Sequence, residues 1–319
     1  MNADVVVLKL GALGDLLLAD GALRDIREHH AGSRIHLITR RPFVATMARC
    51  PWVDEIHVDD NAPRWHLPAM RRWARRLQAI APARVYDLQN SPRTHFYRRW
   101  LRGTLPEAAW SAGALLREAS TLSVPERLAV QLAAAGIDAR HAAHPQPDWM
   151  AEDASDVMAR CGLAEPFALL LPGSSARNAG KRWPGYAELA QRLTARGITV
   201  ATAPGPDEME VARAISGIVV LDDGRWLDLP RLAGLARRAA CVVGNDSGPT
   251  HLAAMLGAPC IALFDAASPS LTSTGIAQRI CSRALTAAPL AALEVEMVEA
   301  AVLQSLGTDG ASRDIRLPA

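Results

Sequence analysis

Short, wholly apolar runs alternate along this chain with longer stretches in which apolar residues recur every three or four positions. The runs at 5–10 (VVVLKL), 34–39 (RIHLIT), 55–58 (EIHV) and 84–88 (RVYDL) predict strands. Between them, helical spacing predicts helices over about 15–30, after Pro42 and over 65–80. A second series repeats the alternation. It predicts helices at 153–161, 185–196, 207–215, 228–238 and 249–256, and strands at 167–171 (FALLL), 198–203 (ITVATA), 218–221 (IVVL), 241–244 (CVVG) and 260–264 (CIALF). A last helix is predicted from beyond Pro289 to about 306, followed by a frayed tail. Strands and helices in this rhythm imply βαβ units and mainly parallel sheets. Residues 138–153 carry no period and hold two prolines, which predicts a linker there. The fold class is α/β, with two doubly wound domains. Ligands are expected at the C-terminal ends of both sheets, in the cleft between them.

Composition sharpens this picture at two points. The chain has 319 residues, a length that suits two domains of about 150 each. Its formal net charge of +2 excludes little, but of its 35 basic residues only Lys9 and Lys181 are lysines. Both fall in Gly-rich segments, a mild hint of chemistry. The five cysteines are scattered without a CxxC pair, as a reducing compartment permits. Neither a signal peptide nor an apolar run of the ~18–20 residues needed to cross a bilayer is read, so the expected location is cytoplasmic.

Three strand-to-helix junctions carry the candidate chemistry, because unpaired N–H groups at a helix start attract anions. In KLGALGDLLLADGAL (9–23), Gly11 and Gly14 permit a sharp turn, and Asp15 falls in the first helical turn. Asp15 either caps that helix or faces the cleft as a carboxylate able to take a proton from a hydroxyl. In LLLPGSSARNAGKRWPGYAELA (169–190), Ser174, Ser175 and Lys181 suit a diphosphate leaving group, the alternative being a solvated loop. In GNDSGPTHLAAM (244–255), Ser247 and Gly248 offer N–H groups beside Thr250. Asp246 binds a sugar hydroxyl or orients the loop, and His251 is a supporting donor or a core histidine. Past the strand at 198–203, Glu208 and Glu210 could accept ribose hydroxyls or decorate a helix start. Neither GxGxxG nor Walker A is matched.

Between Asn61 and Leu105 stand ten arginines and one acid, Asp87. They form a solvated face or a surface for a polyanionic acceptor and the anionic inner leaflet, with Trp65, Trp73 and Trp100 as interfacial anchors. No nucleic-acid motif accompanies them. No metal site is read, since the histidines lack ligand spacing.

LGALGDLLLADGAL, PGSSARNAGKRWP and GNDSGPTHLAAMLGAPCIALF closely resemble the glycosyltransferase family 9 heptosyltransferases of bacterial lipopolysaccharide synthesis. The resemblance spans roughly 4–104 and 165–270. It implies a GT-B fold of two Rossmann-like domains. Residues 1–150 would bind acceptor and 151–289 the nucleotide sugar, with the helix of 290–319 packing back on the first domain. The implied activity is inverting, metal-independent transfer of heptose from ADP-heptose to lipopolysaccharide core. The nucleotide sugar is a substrate, and no cofactor is expected. By motif position Asp15 resembles the general base and Lys181 a catalytic cation. Gly14, Ser174, Ser175, Glu208, Asp246, Ser247, Gly248, Thr250 and His251 resemble the donor site. Arg64, Arg71, Arg72 and Arg93 are expected to meet an anionic, lipid-linked acceptor, with peripheral contact to the inner membrane. A departure follows the last strand, where Phe264-Asp265-Ala266 replaces a Gly-containing loop and sets a further negative charge near the donor. Residues 106–150 match nothing assignable.

Overall fold

The computed structural model describes residues 3–102, 109–113, 122–173, 182–206, 208–269, 271 and 282–307. The chain divides into two compact units, Met1–Met150 and Ala151–Ala319.

In the first unit, β1 (Val5–Leu8), β2 (Ile35–Thr39), β3 (Glu55–Val58), β4 (Arg84–Asp87) and β5 (Trp110–Ala112) form one sheet in the order β3-β2-β1-β4-β5. Every pairing is parallel. Such a sheet is covered on both faces, which is why β1 is apolar without alternation. Val5 and Val7 pack with α1 (Leu13–Leu18), α2 (Asp20–His29) and α6 (Val124–Ala134) on one face. Val6 and Leu8 pack with α4 (Leu67–Ile80) and α5 (Pro92–Trp100) on the other. A short α3 (Val44–Met47) lies between β2 and β3.

The single helix expected over 15–30 is two, parted at Ala19. Residues 138–150 are not a free linker. The Asp25 carboxylate accepts from the N–H groups of His141 and Ala142, and Asp20 accepts from Gln146 N and the Trp52 and Trp149 indoles. These buried carboxylates hold the aperiodic segment against α2.

In the second unit, β6 (Phe167–Leu171), β7 (Thr199–Thr202), β8 (Ile218–Val219), β9 (Cys241–Asn245), β10 (Cys260–Asp265) and β11 (Ser282–Ala287) form a parallel sheet ordered β11-β10-β9-β6-β7-β8. One face is covered by α7 (Ser155–Arg160), α10 (Leu229–Arg238) and α11 (Gly248–Met255), the other by α8 (Tyr186–Ala195). A short α9 (Met209–Ala214) joins β7 to β8. The last helix, α12 (Val295–Ser305), packs on α8, β9 and β10 of its own unit. Val298, Ala301 and Val302 enter the core there, and the buried Glu299 carboxylate accepts from Arg192 and Arg196. An apolar stripe needs a partner surface, and the α8 face of the sheet supplies it.

Candidate active site

In the first unit the C-terminal ends of β1 and β4 are fastened together. Lys9 is buried, and its Nζ donates to Leu88 O at 3.0 Å; Leu10 N donates to Gln89 Oε1 at 2.8 Å. Burial lowers the Lys9 pKa, against the opposing pull of the Asp15 and Asp87 carboxylates. The lysine hint therefore resolves into an internal brace, electrostatically coupled to both acids. Asp87 is pushed up by burial, opposed by hydrogen bonds from Asn90, Thr94 and Gln89. Asp15 is half-buried in the first turn of α1, and its Oδ2 accepts from Ala12 N at 3.0 Å. Its cap role is real and uses one carboxylate oxygen. Gly14 lies beside it in the same turn.

The expected acceptor arginines separate. Arg71 and Arg72 are exposed on α4, and exposed Arg64 lies over the Phe96 ring at 5.9 Å. Arg93 is committed elsewhere. It donates twice to Asp59, at 3.0 and 3.1 Å, and once to Ala62 O at 3.0 Å, while Tyr97 OH donates to Asp59 at 2.6 Å. Burial alone would raise the Asp59 carboxyl, but the hydrogen bonds from Arg93, Tyr97 and Asn61 outweigh it and hold it below the usual range. Trp73 is corrected as an interfacial anchor: it is buried and stacks on Tyr97 with ring centroids 3.9 Å apart. Trp65 and Trp100 are exposed, at 79% and 40%. Arg72, Arg76 and Arg93 line a shallow groove with Asp59 and Asp60.

In the second unit two strand ends and a helix start converge on one residue absent from the expected set. Asn245, fully buried at the end of β9, donates from Nδ2 to Pro172 O at 2.7 Å. Its Oδ1 accepts from Trp183 N at 3.1 Å and Tyr186 OH at 3.2 Å. The Pro172-Gly173 turn after β6 and the start of α8 are thus bound to β9. Glu208 folds over the same turn: its Oε2 accepts from Gly205 N at 2.8 Å. A Cβ on Gly173 would lie 1.9 Å from Glu208 Oε1, so only glycine admits that carboxylate. Ser174, Ser175 and Lys181 lie outside the described residues. Both chain segments that lead to them end beside Asn245.

The loop after β9 is a closed network. Asp246 Oδ1 pairs with His251 Nε2 at 3.1 Å, and its Oδ2 accepts from Ser268 Oγ at 3.0 Å. Both Asp246 carboxylate oxygens thus bond within the second unit, and His251 is a buried partner. Ser247 occupies the N-cap position of α11, and its Oγ lies 3.0 Å from Thr250 Oγ1 in place of a bond to the first-turn N–H groups. Thr250 is fully buried above Gly244, where a Cβ would approach its Oγ1 to 2.2 Å. Gly248 opens α11, so its N–H lies in the first turn, where helical N–H groups lack intrahelical partners; Pro249 has no N–H to contribute. Asp265, the departure from the family loop, is used locally. It accepts from Ala267 N at 3.0 Å and Leu290 N at 3.1 Å.

The model of glycosyltransferase family 9 (heptosyltransferase) matches residues 71–298. The chain belongs to this family. It is 35% identical over 103 residues to lipopolysaccharide heptosyltransferase 2 of Escherichia coli strain K12, a match spanning 29% of each chain. The family 9 glycosyl transferase of Veillonella parvula shares the fold over 96% of this chain and 98% of its own, with TM-score 0.76 and 20% identity. The E. coli ADP-heptose lipopolysaccharide heptosyltransferase II shares it over 97% and 100%, with TM-score 0.69 and 20% identity. E. coli heptosyltransferase WaaC, solved with ADP, shares it over 96% and 98%, with TM-score 0.64 and 18% identity. The architecture is GT-B, two Rossmann-like α/β domains.

Proposed function

We propose that this family 9 glycosyltransferase moves a heptose from ADP-heptose to a lipid-linked, anionic saccharide acceptor of the lipopolysaccharide core, with inversion and without a metal ion in the transfer step. The observation that carries the reading is the Asn245 junction. It gathers the turn leading to Ser174 and Ser175, the segment following Lys181, the Glu208 carboxylate and the N-terminus of α11 around the ends of β6 and β9. A helix start, hydroxyls and one ammonium are the groups that hold a diphosphate. Glu208, beside that turn, is the acid this reading assigns to the ribose hydroxyls.

The acceptor hydroxyl oxygen attacks the anomeric carbon while the bond from that carbon to the β-phosphate oxygen breaks. Asp15 takes the hydroxyl proton, and ADP leaves with its new charge met by Lys181, Ser174, Ser175 and the N–H groups at Ser247 and Gly248. General-base help contributes on the order of 10²–10⁴ in rate, and stabilisation of the leaving group about as much or more. The reaction sits in the cytoplasm at the inner face of the membrane. Exposed Trp65 and Trp100, together with exposed Arg71, Arg72, Arg75 and Arg76, support peripheral contact there. Among the described residues, no helix is long and apolar enough to cross a membrane.

Calorimetric titration with ADP, UDP, GDP and NAD tests the donor. ADP is expected to bind at least tenfold more tightly than the other three. A preference for UDP or GDP would reassign the nucleotide, and a preference for NAD would end the transferase reading.

A further inference from the structure

The sequence spacing predicts no metal site, yet the fold brings two histidines and two carboxylates together at the N-terminal edge of the first sheet. This is the edge away from Asp15. β2 and β3 pair in register His36 with Glu55 and Ile38 with His57, so all three polar side chains rise on one face. His36 is buried. Its Nδ1 lies 3.0 Å from His57 Nε2 and 3.4 Å from Glu55 Oε2, and His57 Nε2 lies 3.7 Å from Glu55 Oε1. A tetrahedral zinc ion with bonds of about 2.0–2.1 Å spaces its ligand atoms roughly 3.3–3.4 Å apart. With one Glu55 oxygen toward each imidazole, the separations run from 3.0 to 3.7 Å around that value. The far nitrogen of His36 supplies the second observation: Nε2 faces Asp4 Oδ2 at 3.2 Å. A carboxylate on the second ring nitrogen is how metal-binding histidines are oriented and made more basic.

We propose that His36 Nδ1, His57 Nε2 and the Glu55 carboxylate bind one zinc-class divalent cation, with Asp4 as the positioning residue behind His36. Two imidazoles and one carboxylate suit zinc and cobalt(II) over calcium or magnesium, which favour oxygen ligands. Binding requires only that His57 carry its proton on Nδ1. Asp4 and Glu55 bring two negative charges against the positive charge of Arg76 near His57. Glu55 remains accessible to water, which completes the coordination. β3 is the edge strand, hydrogen-bonded on one side only, so the ion would pin it to β2. Its role is structural, and it stands apart from the transfer reaction.

The test is zinc titration of the full chain against a chromophoric chelator, with thermal unfolding and cobalt(II) absorption in parallel. One equivalent is expected, with a rise in Tm of roughly 5–10 °C at 100-fold excess over Kd, and the intense visible bands of a four- or five-coordinate cobalt site. His57→Gln and Glu55→Gln should each weaken binding at least tenfold, and Asp4→Asn about 10–100-fold. His141→Gln, which alters the separate Asp25, Glu28 and His141 cluster, should leave it unchanged. Zinc binding no tighter than millimolar, binding that survives His57→Gln, or binding abolished by His141→Gln would overturn the proposal.

Discussion

At the scale of single residues, the expected site divides into groups at strand ends and groups bonded to one another. Asp15, Gly14, Glu208 and the Ser247–Gly248 pair sit where the motifs predict, at the ends of β1, β7 and β9. Asp246, His251 and Thr250 lie in the same loop but bond to one another. Arg93 shows the limit of reading charge from sequence. Its place in an arginine-rich stretch suggests an exposed anion contact, but Asp59, thirty-four residues earlier, claims it. Asn245 stands in the GNDSGPTHLAAM motif with no role legible from sequence, because an amide signals nothing until the carbonyls of Pro172 and Gly173 arrive beside it. Arg93→Ala should therefore act on stability more than on acceptor recognition. It strands a buried carboxylate, at a cost of about 3–5 kcal/mol, read as a fall in the denaturation midpoint. An unchanged midpoint with a raised acceptor KM would return Arg93 to the acceptor site.

At the scale of elements, the strands of the first and second series were legible because buried parallel strands are continuous apolar runs of β-branched and aliphatic residues. β5 and β11 were missed. WSA is three residues long, and SRALTA shows neither a continuous apolar run nor strict alternation. α6 was missed although Ser123 and Glu126 form a capping box with Pro125 between them, a start signal present in the sequence. α12 is legible as an amphipathic stripe, which shows that a helix docks but not where. Its docking carries weight: Val298 and Val302 are fully buried, and Glu299 meets two arginines. A chain ending at residue 294 uncovers the face formed by Val243, Ile261 and Leu263. At ~1.5–3 kcal/mol for each fully buried aliphatic side chain, that loss approaches the stability of a whole domain. The truncated chain should precipitate or unfold without a cooperative transition, as seen by thermal denaturation.

Across the whole molecule, βαβ alternation made the two-domain α/β plan legible, while the pairing of histidines across β2 and β3 was not, since ligands from separate strands leave no spacing to read. Histidines also set a pH dependence. Burial lowers His30 to about 4, helped by the positive charges of His29, Arg84 and Arg27, and its Nε2 lies 2.9 Å from Tyr86 OH. Burial lowers His57 as well. Unfolded histidine titrates near ~6.5, so between there and about 4 the folded state binds fewer protons than the unfolded state. The His30 contribution is complete above the unfolded value and is lost as pH falls through this window. Buried Asp20, Asp25 and Asp87, with raised pKa values, act in the opposite sense. The His30→Gln variant isolates the histidine: its denaturation midpoint should fall less steeply than that of the parent from pH 6.5 to 4. Parallel curves would remove His30 from the account.

The central claim is that a carboxylate at the end of β1 deprotonates an alcohol while the second unit holds the departing ADP. Its most direct test is the transfer rate of Asp15→Asn with ADP-heptose and a lipopolysaccharide-core acceptor, alongside its affinity for ADP. The variant should lose about 10²–10⁴ in turnover and bind ADP as the parent does. Turnover within a few fold of the parent would contradict the claim.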